Sequence, residues 1–299
     1  MRDIIQLSET GTADILMSEI ISKKVEEVAR AARVFRPYLR FDDSLRNKPG
    51  VSVAIPRREV ITSDLIAEMG TIDPSTLTFS TAATIRPVEH GAAFSISRQA
   101  VERAGSNLIA GAITELGHAL SLEEDEDIAE EMSTATSNVL YAKSATGTAD
   151  LTATDYLDPE LVLEGVRDIK GNNYRPKVLV VSSKQEFQLG TCDMFSNAAR
   201  YGSSEYVKSG EIPKFAGLEV VTSPNLVTGL GGIGTDVAYT VCLLFTPNES
   251  MCMAVKRPIS IDRQYLPLAR KYVIAGTYDR DEKIVNDSSI ALLYCADGT

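Results

Sequence analysis

From Ser106 to Met132 the sequence reads as one helix of about 26 residues, roughly 40 Å long at 1.5 Å per residue and far above the usual helix length. Ser106 offers an N-cap. Ile109, Ile113, Leu116, Leu120, Ile128 and Met132 recur at steps of three and four, interrupted by one acidic gap at Glu124. The second half, ELGHALSLEEDEDIAEEM (115–132), holds one histidine and eight carboxylates in eighteen residues. Glu115 and His118 stand in the Glu-x-x-His relation that di-iron helical bundles use to aim two ligands inward. That constellation needs a second such pair and two further helical glutamates, and the chain has only two histidines. The other, His90, lies in the strand-like RPVEHGAAF, so no metal site and no cofactor are expected. Glu123, Asp127, Glu130 and Glu131 are expected to share the helix face turned away from the apolar stripe.

Charge is distributed unevenly around this helix. Residues 1–58 carry 11 Lys+Arg against 8 Asp+Glu, residues 59–174 carry 6 against 20, and residues 175–299 balance at 13 against 13. A basic arm therefore leads an acidic middle, and no concentrated basic face of the kind that reads duplex DNA is visible. At 299 residues, 44% of them hydrophobic, the chain is long enough to bury one large core or two smaller ones. It has no cationic start followed by an apolar segment, and its longest nearly apolar run, VAYTVCLLFT (237–246), is about half of a bilayer span. The reading is a soluble protein that is not secreted. Cys192, Cys242, Cys252 and Cys295 fall in no zinc or C-x-x-C spacing and read as buried thiols.

Before the long helix, residues 14–36 read as an amphipathic helix, with Ile15, Ile21, Val25, Val28, Ala32 and Phe35 on one face and Lys23, Lys24, Arg30, Arg33 and Arg36 on the other. Pro37 ends it. Residues 50–99 alternate apolar and polar residues around an excursion of about twenty residues, a pattern for an extended two-stranded flap. Such an arm cannot bury Leu65, Ile66, Met69, Ile72 and Leu77 by itself, so it is expected to lie on a neighbouring chain.

After the long helix, a small, polar stretch (133–154) gives way to an α/β pattern. DPELVLEGVRDIK (158–170) is helical with Pro159 in its first turn, PKVLVVS (176–182) is a buried strand, and SKQEFQLGT begins a serine-capped helix. LEVVTS (218–223), VAYTVCLLFT, SMCMAVK (250–256), ISIDRQY (259–265), KYVIAGTY (271–278) and SIALLYC (289–295) are strands. GLGGIG (229–234) matches G-x-G-x-x-G, but it precedes a β-branched run rather than a helix and reads as a flexible loop tip. No Walker loop, nucleophile elbow or Cys–His set occurs.

The order basic N-terminal helix and arm, long flap, acidic spine helix, α/β domain and returning C-terminal strands resembles the major capsid proteins of tailed phages and related archaeal viruses. These share the Hong Kong 97 type capsid fold, an α+β fold that encapsulin nanocompartments also use. RPKVLVVSSKQEFQL looks like that family's strand, turn and helix, and GEIPKFAGLEVVTSPNL (210–226) like its following segment, in which Gly217 permits a turn and Ser223-Pro224 ends the strand. The resemblance spans nearly the whole chain.

By position, the resemblance implies an N-terminal arm at 1–45 and an E-loop at 46–85. It also implies a peripheral domain at 86–140 with 255–280, holding the spine helix 106–132, and an axial domain at 141–254 with 281–299. It implies a structural protein and no enzyme: pentamers and hexamers of the chain itself closing an icosahedral shell around double-stranded DNA, in the virion capsid, after assembly in the host cytoplasm. Portal, scaffolding or decoration proteins would be further partners, with non-specific contact to packaged DNA and none to a membrane. Relatives that join subunits covalently use an E-loop lysine. No lysine stands between Pro49 and Ala142, so that link is not expected unless Lys48 reaches. With only about 45 residues before the flap, no fused scaffolding segment is expected either. Assembly contacts are expected at Ile21, Val25 and Phe35 of the arm and at Leu65, Ile66, Met69 and Leu77 of the flap. Charge pairs between subunits are expected to join Lys23, Lys24, Arg30 and Arg33 to Glu123, Asp127, Glu130 and Glu131. The alternatives are an encapsulin-like compartment, separable by what the particle contains, and a carboxylate-metal oxidoreductase, separable by elemental analysis.

Overall fold

The computed structural model describes residues 33–46, 48–58, 79–100, 106–143, 145–192, 212, 214–232 and 237–298. In chain order the elements are β1 (Arg40–Asp42), β2 (Val53–Arg58), β3 (Phe79–Ile85), β4 (Val88–Ser97), α1 (Ser106–Ser133) and β5 (Val139–Tyr141). They continue with α2 (Pro159–Gly171), β6 (Val178–Val181), α3 (Ser183–Thr191), β7 (Lys214–Phe215), β8 (Leu218–Thr222) and β9 (Thr228–Gly231). The last four are β10 (Val237–Phe245), β11 (Met251–Leu266), β12 (Lys271–Ile284) and β13 (Ile290–Ala296).

Two sheets and a ribbon organise these elements. One sheet has the order β1-β11-β12-β4, antiparallel except for the β1–β11 pair; the other has the order β5-β13-β10-β6-β8-β7, with β9 also on β10; β2 and β3 form a separate ribbon. The first half of α1 lays Ile113, Leu116 and Leu120 on Ile261, Ile274 and Tyr278 of the first sheet. Its second half sends Ile128 and Met132 into a different core, with Phe35, Leu243, Phe245, Met253 and Leu292. One helix thus ties both sheets together through a single stripe. Leu120, Ile128 and Met132 are fully buried, each contributing roughly 2 kcal/mol by removal of apolar surface from water.

The second sheet is buried on both faces, which explains why β6 reads as an unbroken Val-Leu-Val-Val run. Leu161, Val162, Val166 and Ile169 of α2 cover the face that carries Leu179, Leu244 and Leu293. Ser182 caps α3, its Oγ accepting from the Lys184 N–H at 3.3 Å. The β7–β8 turn places Ala216 (φ 51°) and Gly217 (φ 82°) in the left-handed region, as a two-residue hairpin of strand-matching twist requires.

Three expectations are corrected, and one strand is added. Residues 33–36 do not continue a helix: Arg33, Val34 and Phe35 run irregularly into a 3₁₀ turn at Arg36–Tyr38, and the remainder of the 14–36 helix lies outside the described residues. SMCMAVK and ISIDRQY are not two strands but one, β11, with register shifts between Val255 and Ser260. Pro258 sits in that irregular stretch, where a missing N–H breaks no ladder bond. GLGGIG is not all loop tip. Gly229–Gly231 pair with Tyr239–Val237, and a Cβ on Gly231 would stand 2.2 Å from the Thr148 carbonyl oxygen. Finally, β5 emerges from the small, polar stretch as a parallel partner of β13.

Two carboxylates fasten the C-terminal strand. Asp287 accepts from Thr136 N and Oγ1 (3.0 Å each) and from Ser137 Oγ, and Asp297 accepts from Lys184 Nζ (2.8 Å), Gln185 Nε2 (3.0 Å) and Thr240 Oγ1. Burial alone would raise both carboxyl pKa values, but these donors hold both below the ordinary value. A depressed folded-state pKa contributes stability that is complete above the unfolded value of about 4 and disappears as pH falls through the folded value. Urea midpoints measured from pH 7 to pH 2 are therefore expected to drop below about pH 4, with a shallower drop for Asp287→Asn and Asp297→Asn. Identical slopes in all three proteins would remove these groups from the acid response.

Candidate functional site

The acidic stretch of α1 distributes its carboxylates to two sides, and each side meets arginines far away in sequence. On one side, Glu124 is fully buried and binds Arg33 Nη2 at 2.7 Å and Arg36 Nη1 at 3.2 Å. The adjacent Asp125 accepts the backbone N–H groups of Val34 (2.9 Å) and Phe35 (3.3 Å). Burial raises the Asp125 carboxyl pKa against the pull of those two donors, and burial lowers that of Arg33 against the pull of Glu124. The backbone that enters the fold at Arg33–Phe35 is thus held by two successive carboxylates of one helix.

On the other side, Arg280 of β12 is 1% exposed and lies inside a relay. Its Nη1 donates to both Glu282 oxygens at 2.7 Å, its Nη2 to Asp127 Oδ2, and its Nε to Tyr278 Oη at 2.8 Å. Tyr278 Oη in turn donates to the Leu120 carbonyl at 3.2 Å. Burial opposes the charge on Arg280, yet Glu282 and Tyr278 shift its pKa upward. Glu282 goes up as well, because burial outweighs the guanidinium beside it. His90 of β4 joins through Nδ1, 2.9 Å from Glu123 Oε1 and 3.8 Å from Asp127 Oδ2. Lys283 completes the side by binding Glu131 at 2.6 Å.

These contacts revise the sequence picture. Glu123, Asp127 and Glu131 do not face away from the fold: they lie against β4 and β12 and take partners within the chain, and only Glu130 of the four is exposed. Arg33 goes to Glu124, the residue read as a gap in the stripe, and not to any of those four. Phe35 is fully buried in the chain's own core and offers no surface to a neighbour. Ile21, Lys23, Lys24, Val25, Arg30, Leu65, Ile66, Met69 and Leu77 lie outside the described residues.

Glu115 and His118, the first candidate ligands, are exposed on the surface of α1. Among the described residues, the three groups that could share a metal ion are instead His90, Glu123 and Asp127, whose ligand atoms lie within 4.8 Å of one another. Asp127 there already neutralises Arg280. No described helix is long and apolar enough to cross a membrane. Cys242, Cys252 and Cys295 are buried free thiols and Cys192 is half-buried; burial pushes Cys252 up to about 11. Large apolar side chains exposed to solvent include Val51, Val88, Phe187 and Leu268, the last fully exposed in the β11–β12 turn.

Residues 81–257 match the family model described as phage capsid protein. No curated protein matches the chain. The fold is similar to the capsid of Ralstonia phage GP4 (TM-score 0.72, 14% identity, 88% of this chain and 91% of that one) and to the capsid of cyanophage Pam1 (0.70, 13%, 88% and 92%). It is also similar to the capsid of Helicobacter pylori bacteriophage KHP30 (0.66, 11%, 87% and 88%). All three have the Hong Kong 97 type fold implied by the order of elements.

Proposed function

The chain belongs to the phage capsid protein family, a major capsid protein forming the shell of a virion, and from that premise we propose how it builds the shell. Copies close into pentamers and hexamers through heterologous surfaces, and these rings join into an icosahedral container for double-stranded DNA. In this reading residues 1–45 form an arm and 46–85 an E-loop that lap onto neighbours. The β11–β12 sheet with α1 makes the peripheral domain, and the sheet centred on β10 makes the axial domain. Assembly takes place in the host cytoplasm. The observation that supports the reading is the family match across 81–257, which covers β4, α1, the start of β11 and every strand of the second sheet except β13. The role is structural, and neither a cargo compartment nor a metal oxidoreductase is favoured by that match.

A container needs subunits that keep their shape while many modest contacts accumulate. The two carboxylate–arginine networks supply stiffness by locking α1 to β12 on one side and to the entering backbone on the other. Negative-stain electron microscopy of the purified protein is expected to show closed shells. Met69→Asp, which places a charge among the apolar residues of the flap, is expected to leave soluble subunits without shells. Normal particles from that variant would remove the flap from assembly, and a wild-type protein that stays monomeric at high concentration would overturn the shell reading itself.

A further inference from the structure

The geometry points to an oxyanion-binding site, unconnected with any expectation from the sequence, in the cleft between the entering backbone and the irregular part of β11. Arg33, Arg36, Arg46 and Arg280 line a cavity of 420 Å³, and among the described residues lining it the only carboxylate is Asp43. The cavity exists because of the register shifts around Pro258: where β11 leaves its regular pairing with β12, Val255, Pro258 and Ile259 form an apolar wall. Phe41 of β1 stands opposite, with the Arg36 guanidinium 5.2 Å from its ring centre.

What makes this more than a basic crevice is an unsatisfied donor. Arg33 has a side chain only 2% exposed, and its Nε finds no hydrogen-bond partner among the described residues. Among the described residues, the ion pairs of Arg33 and Arg36 both end on one carboxylate, Glu124, so two guanidinium groups share one directly bonded acid. A buried cation with an idle N–H is costly, and an arriving oxyanion would relieve it with charge-assisted hydrogen bonds. Planar guanidinium groups present paired donors that suit carboxylate and phosphate oxygens alike. Arg46, half-exposed and only 3.9 Å-paired to Asp43, is free to swing onto a ligand.

In the shell, the occupant is a side-chain carboxylate of a second copy. The chain carries a net charge of −11, and residues 59–174 hold 20 acids against 6 bases, so the oxyanion at highest local concentration around any subunit is a neighbour's carboxylate. The apolar wall of Val255, Pro258 and Ile259 suits the hydrocarbon part of such a side chain. This assignment of the occupant rests on the shell reading; the existence of the site does not.

Calorimetric titration of inorganic phosphate at low ionic strength tests both parts, on unassembled protein and on assembled shells. Saturable binding to unassembled protein is expected, weakened about tenfold by Arg46→Gln and again by Ile259→Glu, which fills the cavity with its own carboxylate. Assembled shells are expected to bind no phosphate there, because a neighbour's carboxylate is already in place. Equal binding to shells and subunits would overturn the neighbouring carboxylate and leave a site for free phosphate. Absence of saturable binding to unassembled protein, or binding indifferent to both variants, would overturn the site, while leaving the microscopy test of shell formation untouched.

Discussion

Arg280→Ala is expected to destabilise the subunit by about 3–5 kcal/mol, among the largest single-residue effects available in this fold. The substitution removes one cation and strands two acids: Glu282, whose two oxygens both lie 2.7 Å from Arg280, and Asp127 of α1. Glu282 is only 6% exposed and cannot recover its lost partner from water, so it must either take up a proton or remain buried and charged. Tyr278 loses the donor to its hydroxyl, and with it the relay that ends on the Leu120 carbonyl. The control that separates a stranded charge from lost packing is the pair Arg280→Met with Glu282→Leu, which removes the buried acid together with the base and leaves only Asp127, whose side chain at 34% exposure still reaches water. Because replacing a buried ion pair by apolar residues of similar size is often close to neutral, the pair is expected to recover most of the loss, to within about 1–2 kcal/mol of the wild type. Urea unfolding of unassembled protein measures all three. A double variant as unstable as Arg280→Ala would show that packing of the long side chain, and not charge, is what the relay contributes.

Periodicity made the backbone largely legible and left the site mostly hidden. The stripe of α1 announced both the helix and the side it buries, because residues three and four apart must share a face whatever they pack against. The runs in β6 and β10 announced strands that are buried on both faces. By contrast, β5 is three residues long, too short for any alternation, and exists because β13, some 150 residues later, offers it a parallel edge. SMCMAVK and ISIDRQY read as two strands with Pro258 between them, and a proline lacks the N–H that a regular ladder needs. A register shift removes that need, and β11 runs on.

The acidic stretch shows the same limit more sharply. Eight carboxylates on a helix read as a solvated face when only local sequence is considered. Which of them are buried is decided by arginines 88 and 153 positions away. One signal for Glu124 was present: it falls in the apolar stripe between Leu120 and Ile128, where an exposed residue would interrupt the contact. An acid at a core position implies a buried base, and the sequence offered Arg33 and Arg36 without saying which acid they would meet.

Glu124→Ala should accordingly cost about 3–5 kcal/mol, a loss as large as that of Arg280→Ala but with a different local consequence. Arg33 would keep its charge at 2% side-chain exposure without the carboxylate that binds it, and Arg36 would lose that same partner. Two like charges would then face each other across the space Glu124 occupied, where burial already works against the ionised form of Arg33. The segment from Arg33 to Leu39 has a cheap escape: it can leave the helix and carry both arginines to water, at the cost of exposing Phe35 and Leu39, both at most 2% exposed now. Local opening is therefore expected to precede global unfolding in this variant. The Arg33–Val34 bond reports it, because trypsin can cut there once the segment opens, whereas the Arg36–Pro37 bond resists cleavage in any conformation. Cleavage after Arg33 at least tenfold faster than in the wild type is expected under native conditions, consistent with a local opening free energy lowered by more than about 1.4 kcal/mol. Glu124→Gln separates charge from shape: the amide oxygen can still accept one guanidinium hydrogen bond, but it neutralises neither arginine, so an intermediate rate is expected. A Gln variant cut no faster than wild type would mean that the hydrogen bond alone holds the segment. Rapid cleavage in both variants, with Arg280→Ala left uncut, would establish that the two faces of α1 carry separate duties, one gripping the entering backbone and the other gripping the sheet.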